Sequence, residues 1–90
     1  MQKFDAGRLV ATPGALAAFE AAGEEPWPYL MRHLAGDWGE LDEEDKQENE
    51  YALRNSLRVL SAYPLKTGQR VWVITEADLS VTTFLLPSEY

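Results

Sequence analysis

The first half of the chain carries apolar residues at helical spacing between clear start and stop signals. Thr12 followed by Pro13 is typical of a helix start, because the threonine hydroxyl caps the first turn and proline tolerates the first helical position. Gly23 suits the left-handed residue that often follows a helix. A first helix is therefore predicted between these signals. Its apolar positions are Leu16, Phe19 and Ala22.

A second helix is predicted to open at residues 26–28 and to end near Gly36. Its apolar residues follow the i, i+3, i+4, i+7 spacing of a stripe that faces a core. They are Trp27, Leu30, Met31 and Leu34.

A third helix follows the loop at residues 36–39 and has a polar start but a thin apolar seam. Asp42 is placed to cap it, Asp45 stands at its third position, and acidic residues crowd the first turn, where the helix dipole favours them. The apolar positions are only Ala52, Leu53 and Leu57. We therefore expect this helix to lie on the surface.

The second half of the chain is rich in the β-branched and aromatic residues that suit strands. Strands are predicted at residues 57–63, 70–76 and 80–86. Turn signals separate them at residues 66–69 and 76–79, and Pro87 ends the last strand. A short additional strand is predicted within residues 4–12.

These elements predict a single α+β domain over residues 1–90. A chain of 90 residues has the length of one domain. We expect two or three N-terminal helices packed on a three- or four-stranded antiparallel sheet with a C-terminal β-hairpin. The predicted core comprises Leu16, Phe19, Trp27, Leu30, Leu34, Leu53, Val71, Val73 and Leu85.

The C-terminal hairpin brings several hydroxyl side chains together. If its loop has two or four residues, Thr75 faces Ser80 and Val73 faces Thr82. That register places Thr75, Ser80 and Thr82 on one face of the sheet, with Trp72, Ile74 and Val81 on the other. An odd loop length would exchange the faces of one strand.

The net charge of −7 is concentrated in one segment, residues 37–50. Its acidic residues are Asp37, Glu40, Asp42, Glu43, Glu44, Asp45, Glu48 and Glu50, opposed only by Lys46. Three interpretations are considered: a solvated helix face, a docking surface for a basic partner, and a metal site. The docking surface includes the case of an acidic surface that imitates duplex DNA. The spacing lacks the calcium-loop pattern, so no metal site is expected. Direct nucleic-acid binding is disfavoured, because it calls for a basic face.

The remaining composition narrows the cellular setting. There is no cysteine, the N-terminus lacks the basic and apolar segments of a signal peptide, and no apolar run is long enough to cross a bilayer. We expect a cytoplasmic protein without a membrane association or a cofactor. The oligomeric state is left open.

Four motifs together resemble one family of small acidic proteins. They are GRLVATPGAL at residues 7–16, GDWG at 36–39, WVITEAD at 72–78 and TTFLLPSEY at 82–90. Such proteins are carried on bacterial plasmids and integrating elements. The resemblance implies no particular activity. One departure is Leu79, since similar proteins have an arginine after the Ala-Asp pair.

Two functions are therefore predicted from different classes. The leading hypothesis is a non-enzymatic accessory protein of a mobile element that binds a basic protein partner, with no catalytic residues. Its partner-binding residues would be Asp37, Trp38, Glu40, Glu43, Glu44, Glu48 and Glu50. Trp38 is included because it lies between glycines in a loop, where no periodicity explains it.

The alternative is a small ribonuclease-like enzyme, active or degenerate, of the barnase and colicin type, which places histidine and hydroxyl side chains on a sheet. Its catalytic residues would be His33, Ser80, Thr82 and Thr83. The structural interpretation of the same residues is a surface or half-buried histidine and a solvated strand face. Cations gathered around His33 would favour the enzyme, and scattered cations would favour the binding protein.

Overall fold

In a computed structural model, which describes residues 2–90, three helices follow a short strand and pack on a four-stranded sheet. The α+β fold predicted from the sequence is confirmed. The elements are β1 (Arg8–Ala11), α1 (Pro13–Ala22), α2 (Trp27–Leu34), α3 (Glu43–Arg54), β2 (Val59–Pro64), β3 (Arg70–Thr75), β4 (Val81–Leu85) and a 3₁₀ turn (Pro87–Glu89).

The helices begin where the sequence signals predict, and α1 and α2 also end near their predicted stops. α3 ends at Arg54, so Leu57 lies outside the helix whose seam it was predicted to join. The Thr12 side chain accepts a hydrogen bond from the Ala15 amide at 3.1 Å, and Gly23 closes α1 with φ of 64°. The Asp42 carboxylate accepts from the Asp45 amide at 2.8 Å at the start of α3. Since each of these signals acts within one turn of helix, the local sequence is enough to specify it.

The sheet has the strand order β1-β4-β3-β2 and is mixed rather than wholly antiparallel. β2 pairs with β3 and β3 with β4 in antiparallel fashion, whereas β1 runs parallel to β4. The N-terminal strand thus joins the sheet beside the C-terminal one. Strand composition does not encode the direction of such a non-local partner, which explains why the sequence predicted only antiparallel pairs.

The hairpin register differs from the prediction by two residues. Thr75 faces Thr82 rather than Ser80, and Trp72 faces Leu85. The amide of Glu76 bonds to the Val81 carbonyl at 3.0 Å, so the loop comprises residues 77–80. A shift of two residues preserves the alternation, and the faces predicted for the strand residues are therefore correct.

The two sheet faces are unequal. The covered face packs under α1 and α2 and carries the side chains of Val59, Ser61, Tyr63, Val71, Val73, Thr75, Thr82 and Phe84. The open face carries those of Leu60, Ala62, Trp72, Ile74, Thr83 and Leu85.

The core prediction is confirmed for Phe19, Leu30, Leu34, Val71, Val73 and Leu85.

Three predicted core residues are not fully buried. Leu16 and Trp27 are more than half exposed, and Leu53 is only partly buried. In α2 the inward positions are Leu30, His33 and Leu34, so the buried stripe is centred on the histidine rather than on Trp27. Hydropathy alone misplaces such a stripe, because it assigns a polar residue to solvent.

The C-terminal segment folds back onto the sheet. The Glu89 carboxylate accepts hydrogen bonds from the Thr12 hydroxyl at 2.5 Å and from the Gly14 amide at 3.1 Å. Next to it, the Tyr90 ring packs edge-on against Trp72, with 5.5 Å between centroids. Part of the open face is thus covered by the end of the chain.

Two sets of hydrogen bonds cover the outer edge of β2. The Asn49 side chain donates to the Leu60 carbonyl at 2.7 Å and accepts from the Leu60 amide at 3.2 Å. The Ala62 amide bonds to the Trp38 carbonyl at 3.1 Å, and the Glu40 amide bonds to the Ala62 carbonyl at 2.7 Å.

Gly39 allows the second set, in which residues 38–40 bond to the Ala62 backbone. A Cβ at this position would lie 2.0 Å from the Ala62 carbonyl oxygen, and its φ of 75° also favours glycine. The GDWG motif is thereby explained as an edge cover for β2. Within residues 2–90, no helix is long and apolar enough to cross a membrane.

Candidate functional site

His33 is fully buried at the centre of the molecule, which contradicts the expectation of a surface or half-buried side chain. It lies in the last turn of α2 and points at the covered face of the sheet. Its Nδ1 atom is 2.5 Å from the Ser61 hydroxyl on β2, and its Nε2 atom is 2.9 Å from the Thr75 hydroxyl on β3. One imidazole therefore ties a helix to two strands.

The hydrogen bonds around His33 form a chain with one direction. The Thr82 hydroxyl donates to the Ala6 carbonyl at 2.7 Å, so it must accept from Thr75, which lies 2.7 Å away. Thr75 then accepts from Nε2–H of His33. It follows that the imidazole carries its proton on Nε2 and that Ser61 donates to Nδ1. We call this arrangement the His33 chain.

Burial governs the electrostatics of the His33 chain. It lowers the pKa of the imidazole from 6.5 to about 4, and no neighbouring charge contributes to the shift. His33 is therefore neutral at pH 7. Throughout residues 2–90, every buried side-chain nitrogen and oxygen has a hydrogen-bond partner. The His33 chain is thus a buried network in which each polar side chain is hydrogen-bonded.

Aromatic rings close the site from the side. Phe4 and Trp38 both meet the imidazole edge-on, with centroids 5.2 Å and 5.8 Å away. Trp38 is only 3% exposed, and its indole donates to the Glu50 carboxylate at 3.0 Å. The prediction that Trp38 belongs to a partner-binding surface is therefore not supported by its position, because its side chain is part of the core.

The four candidate ribonuclease residues do not line one cleft. Thr82 joins His33 through Thr75, but both are buried, whereas Ser80 is exposed in the hairpin loop. Thr83 points to the open face, on the other side of the sheet. A general acid or base must reach its substrate directly or through one water, and this burial prevents it.

The cations that such an enzyme would need are held elsewhere. Arg32 bonds to Asp37 at 2.7 Å, and its guanidinium lies 4.6 Å from the centroid of the Tyr63 ring. Burial raises the pKa of this tyrosine to about 12, so it stays protonated. Arg58 bonds to the Tyr90 hydroxyl at 2.6 Å. Arg32 and Arg58 are thus each bonded to a residue outside the His33 chain.

Leu79 stands where the proteins that this chain resembles have an arginine. It lies in the β3–β4 loop with φ of 59°. It is partly buried and packs against the hydrophobic core. It also lines an open cavity of about 680 Å³ between the N-terminal segment, the end of α3 and the hairpin loop. His33 does not line this cavity.

The acidic segment separates into two groups in the structure. Three of its carboxylates are ion-paired: Asp37 with Arg32 at 2.7 Å, Glu40 with Arg70 at 3.1 Å, and Glu50 with Lys3 at 3.6 Å. Asp37, Glu40 and Glu50 were predicted to bind a basic partner, but each is already paired with a cation of the protein itself. Ion pairing of this exposed kind contributes little to stability.

The second group lies on α3, beside Lys46, and the eighth acidic residue of the segment, Asp42, caps this helix. Glu43, Glu44, Asp45 and Glu48 are exposed, and none of them forms a salt bridge in the part of the chain that the structure describes. Three of them occupy the first turn, where the helix dipole favours negative charge. No cluster of potential metal ligands is found among residues 2–90.

A groove lies between α3 and the open face of the sheet, with a volume of about 630 Å³. We call it the α3 groove. The residues that define it are Asp45, Glu48, Tyr51, Leu57, Leu60 and Trp72. The groove was not predicted from the sequence, because the spacing of Leu57 placed it in the seam of α3. The pattern that could have indicated the groove is the spacing of Asp45, Glu48 and Ala52, which places all three on one side of α3.

The chain matches no known protein family, no curated protein and no solved structure in the comparisons made. The resemblance to plasmid-borne proteins therefore stays a prediction.

Proposed function

We propose that this protein is a non-enzymatic accessory protein that binds a basic protein partner through the acidic surface of α3. The observation that carries the proposal is the group formed by Glu43, Glu44, Asp45 and Glu48, which is exposed and free of salt bridges within residues 2–90. The resemblance to plasmid-borne proteins is the basis for assigning it to a mobile element, and the composition is the basis for placing it in the cytoplasm.

Electrostatics supports this choice over a purely structural role. Exposed charges of one sign raise the local concentration of an oppositely charged partner and accelerate its encounter. They contribute little to folding, and a cluster of like charges repels itself. The net charge of −7 in turn opposes binding to phosphate-rich nucleic acid.

The ribonuclease alternative receives no such support. His33 is buried, neutral and fully hydrogen-bonded, and Ser80 and Thr83 lie away from it. These observations explain the histidine and the hydroxyls as a structural network.

The proposal is tested by reversing the charge of α3 at two positions. Partners captured by the wild-type protein from a bacterial lysate would be identified by mass spectrometry, and the affinity of the purified partner measured by calorimetry. We expect Glu43→Lys combined with Glu44→Lys to weaken binding strongly and to reduce its salt dependence, because charge pairs across the interface are lost.

The matched control is Glu20→Lys combined with Glu25→Lys. These two carboxylates are also exposed, and the change in net charge is the same. If both double variants lose the same affinity, binding depends on total charge rather than on α3. Unchanged binding by the α3 variant would refute the proposal outright.

A further inference from the structure

The α3 groove combines an apolar floor with an acidic rim. Leu60 and Trp72 of the open face form its floor, and Asp45 and Glu48 project from α3 beside them. Its volume of about 630 Å³ falls in the range of sites that bind ligands. Such a surface suits a ligand that is apolar on one side and positively charged at its margins.

We propose that the α3 groove receives an amphipathic helix of the basic partner, with apolar side chains on the groove floor and lysine or arginine at the acidic rim. This inference rests on the proposed function and specifies the element of the partner that is recognised. Charge complementarity selects a basic segment, because Asp45 and Glu48 line the groove without a salt bridge in residues 2–90.

The closed β2 edge explains why the segment is a helix rather than a strand. An extended segment leaves its backbone amides and carbonyls to be bonded by the protein that binds it. Next to the groove, the outward backbone groups of Leu60 and Ala62 are already bonded by Asn49, Trp38 and Glu40. A helix bonds its own backbone and needs only the side-chain surface that the groove offers.

Two large apolar residues in the groove remain about half exposed to solvent. Tyr51 and Leu57 line it and remain 56% and 50% exposed. Arg58 is another lining residue, but its guanidinium donates to the Tyr90 hydroxyl and lies over that ring. Tyr90 thus holds the Arg58 guanidinium, and the two carboxylates of Asp45 and Glu48 outnumber this one cation among the lining residues.

The test uses two synthetic fluorescent peptides made of leucine and lysine. In the patterned peptide the leucines follow the i, i+3, i+4, i+7 spacing of one helix face, and in the scrambled peptide the same residues are reordered without such a face. Affinity for the full-length protein is measured by fluorescence anisotropy. We expect the patterned peptide to bind about tenfold more tightly or better, since only it can bury leucines in the groove.

Two pairs of substitutions locate the binding surface. Tyr51→Ala with Leu57→Ala should lower the affinity for the patterned peptide by about tenfold. The control pair, Leu9→Ala with Leu16→Ala, removes apolar residues of similar exposure, 48% and 54%, outside the groove and should change nothing. Circular dichroism of each variant verifies that the fold is intact.

Each outcome decides the matter. Equal binding of the two peptides, equal loss in the two pairs of variants, or no binding of the patterned peptide overturns the groove proposal. If Glu43→Lys with Glu44→Lys nevertheless abolishes binding of the purified natural partner, the acidic surface is the binding site without the groove. Failure of the groove is thereby distinguished from failure of the proposed function.

Discussion

The covered and open faces of the sheet are built from the same three antiparallel strands, β2, β3 and β4, but their polar residues have different environments. On the covered face, Ser61, Thr75 and Thr82 are buried, and the His33 chain gives each hydroxyl a defined partner. On the open face, Thr83 remains partly exposed, and Trp72 lines a groove. One face packs against the helices, and the other is only partly covered.

This difference teaches that hydroxyl residues in a strand do not identify a solvated face. A buried polar group is tolerated when its hydrogen bonds are satisfied, and a half-satisfied network is costly. The His33 chain restricts α2 to the one position that satisfies both ring nitrogens. It therefore contributes specificity that an apolar contact would not, since apolar packing has no direction.

The comparison is tested most severely by removing apolar volume from each face. Leu30→Ala empties a fully packed position above the covered face and should lower the free energy of unfolding by about 2–5 kcal/mol. Leu57→Ala, beside the open face, should cost less than about 0.5 kcal/mol because its side chain is half exposed. Urea denaturation of both variants measures the difference. Equal losses would show that the two faces are equally packed.

A pH titration sharpens the comparison through His33. Its pKa is about 4 when folded and about 6.5 in the unfolded chain, so the unfolded state binds more protons between these values. The stability that neutral His33 permits is complete above pH 6.5 and is lost as the pH falls towards 4. The full loss is about 3 kcal/mol.

Urea denaturation at several pH values checks this expectation. His33→Gln keeps a polar side chain that does not titrate, so this variant should lose the pH dependence between pH 6.5 and 5, where carboxylates hardly titrate. Parallel curves for wild type and variant would contradict the assignment. At lower pH both proteins should weaken further, because Arg32 holds the pKa of Asp37 below its ordinary value.

The smallest expected difference in stability is between variants of two threonines on neighbouring strands, Thr75 and Thr83. Thr75→Val removes the acceptor of the His33 Nε2–H group and should cost about 1–3 kcal/mol, the penalty of an unsatisfied buried donor. Thr83→Val makes the same chemical change on the open face and should cost less than about 0.5 kcal/mol. Thermal unfolding of the two variants is the measurement. A larger loss in Thr83→Val would reverse our assignment of the faces.

Sequence reasoning succeeded where the signal is local. The caps at Thr12 and Asp42 and the stop at Gly23 act within a few residues, and the structure has all three. The β1 pairing and the two-residue shift of the hairpin register depend on distant contacts and turn geometry. No local pattern carries that information.

The candidate site shows the same division. The partners of His33 lie 28 and 42 positions away along the chain, so its burial had no local signature. Trp38 gave a false signal, because a tryptophan between glycines suggests a functional loop while this one fills the core. The acidic residues themselves were identified, but their division into ion-paired and unpaired groups required the fold.

The closed edge at β2 also limits how folded molecules can join. A ladder of strands that grows without end needs two free edges on every molecule. Here Asn49 and the backbone of residues 38–40 occupy one edge, and in the described part of the chain only β1 remains uncovered. Two copies joined through β1 would present closed edges on both outer sides. Edge pairing of native molecules therefore stops at two, and fibre growth requires α3 and the GDWG segment to detach first.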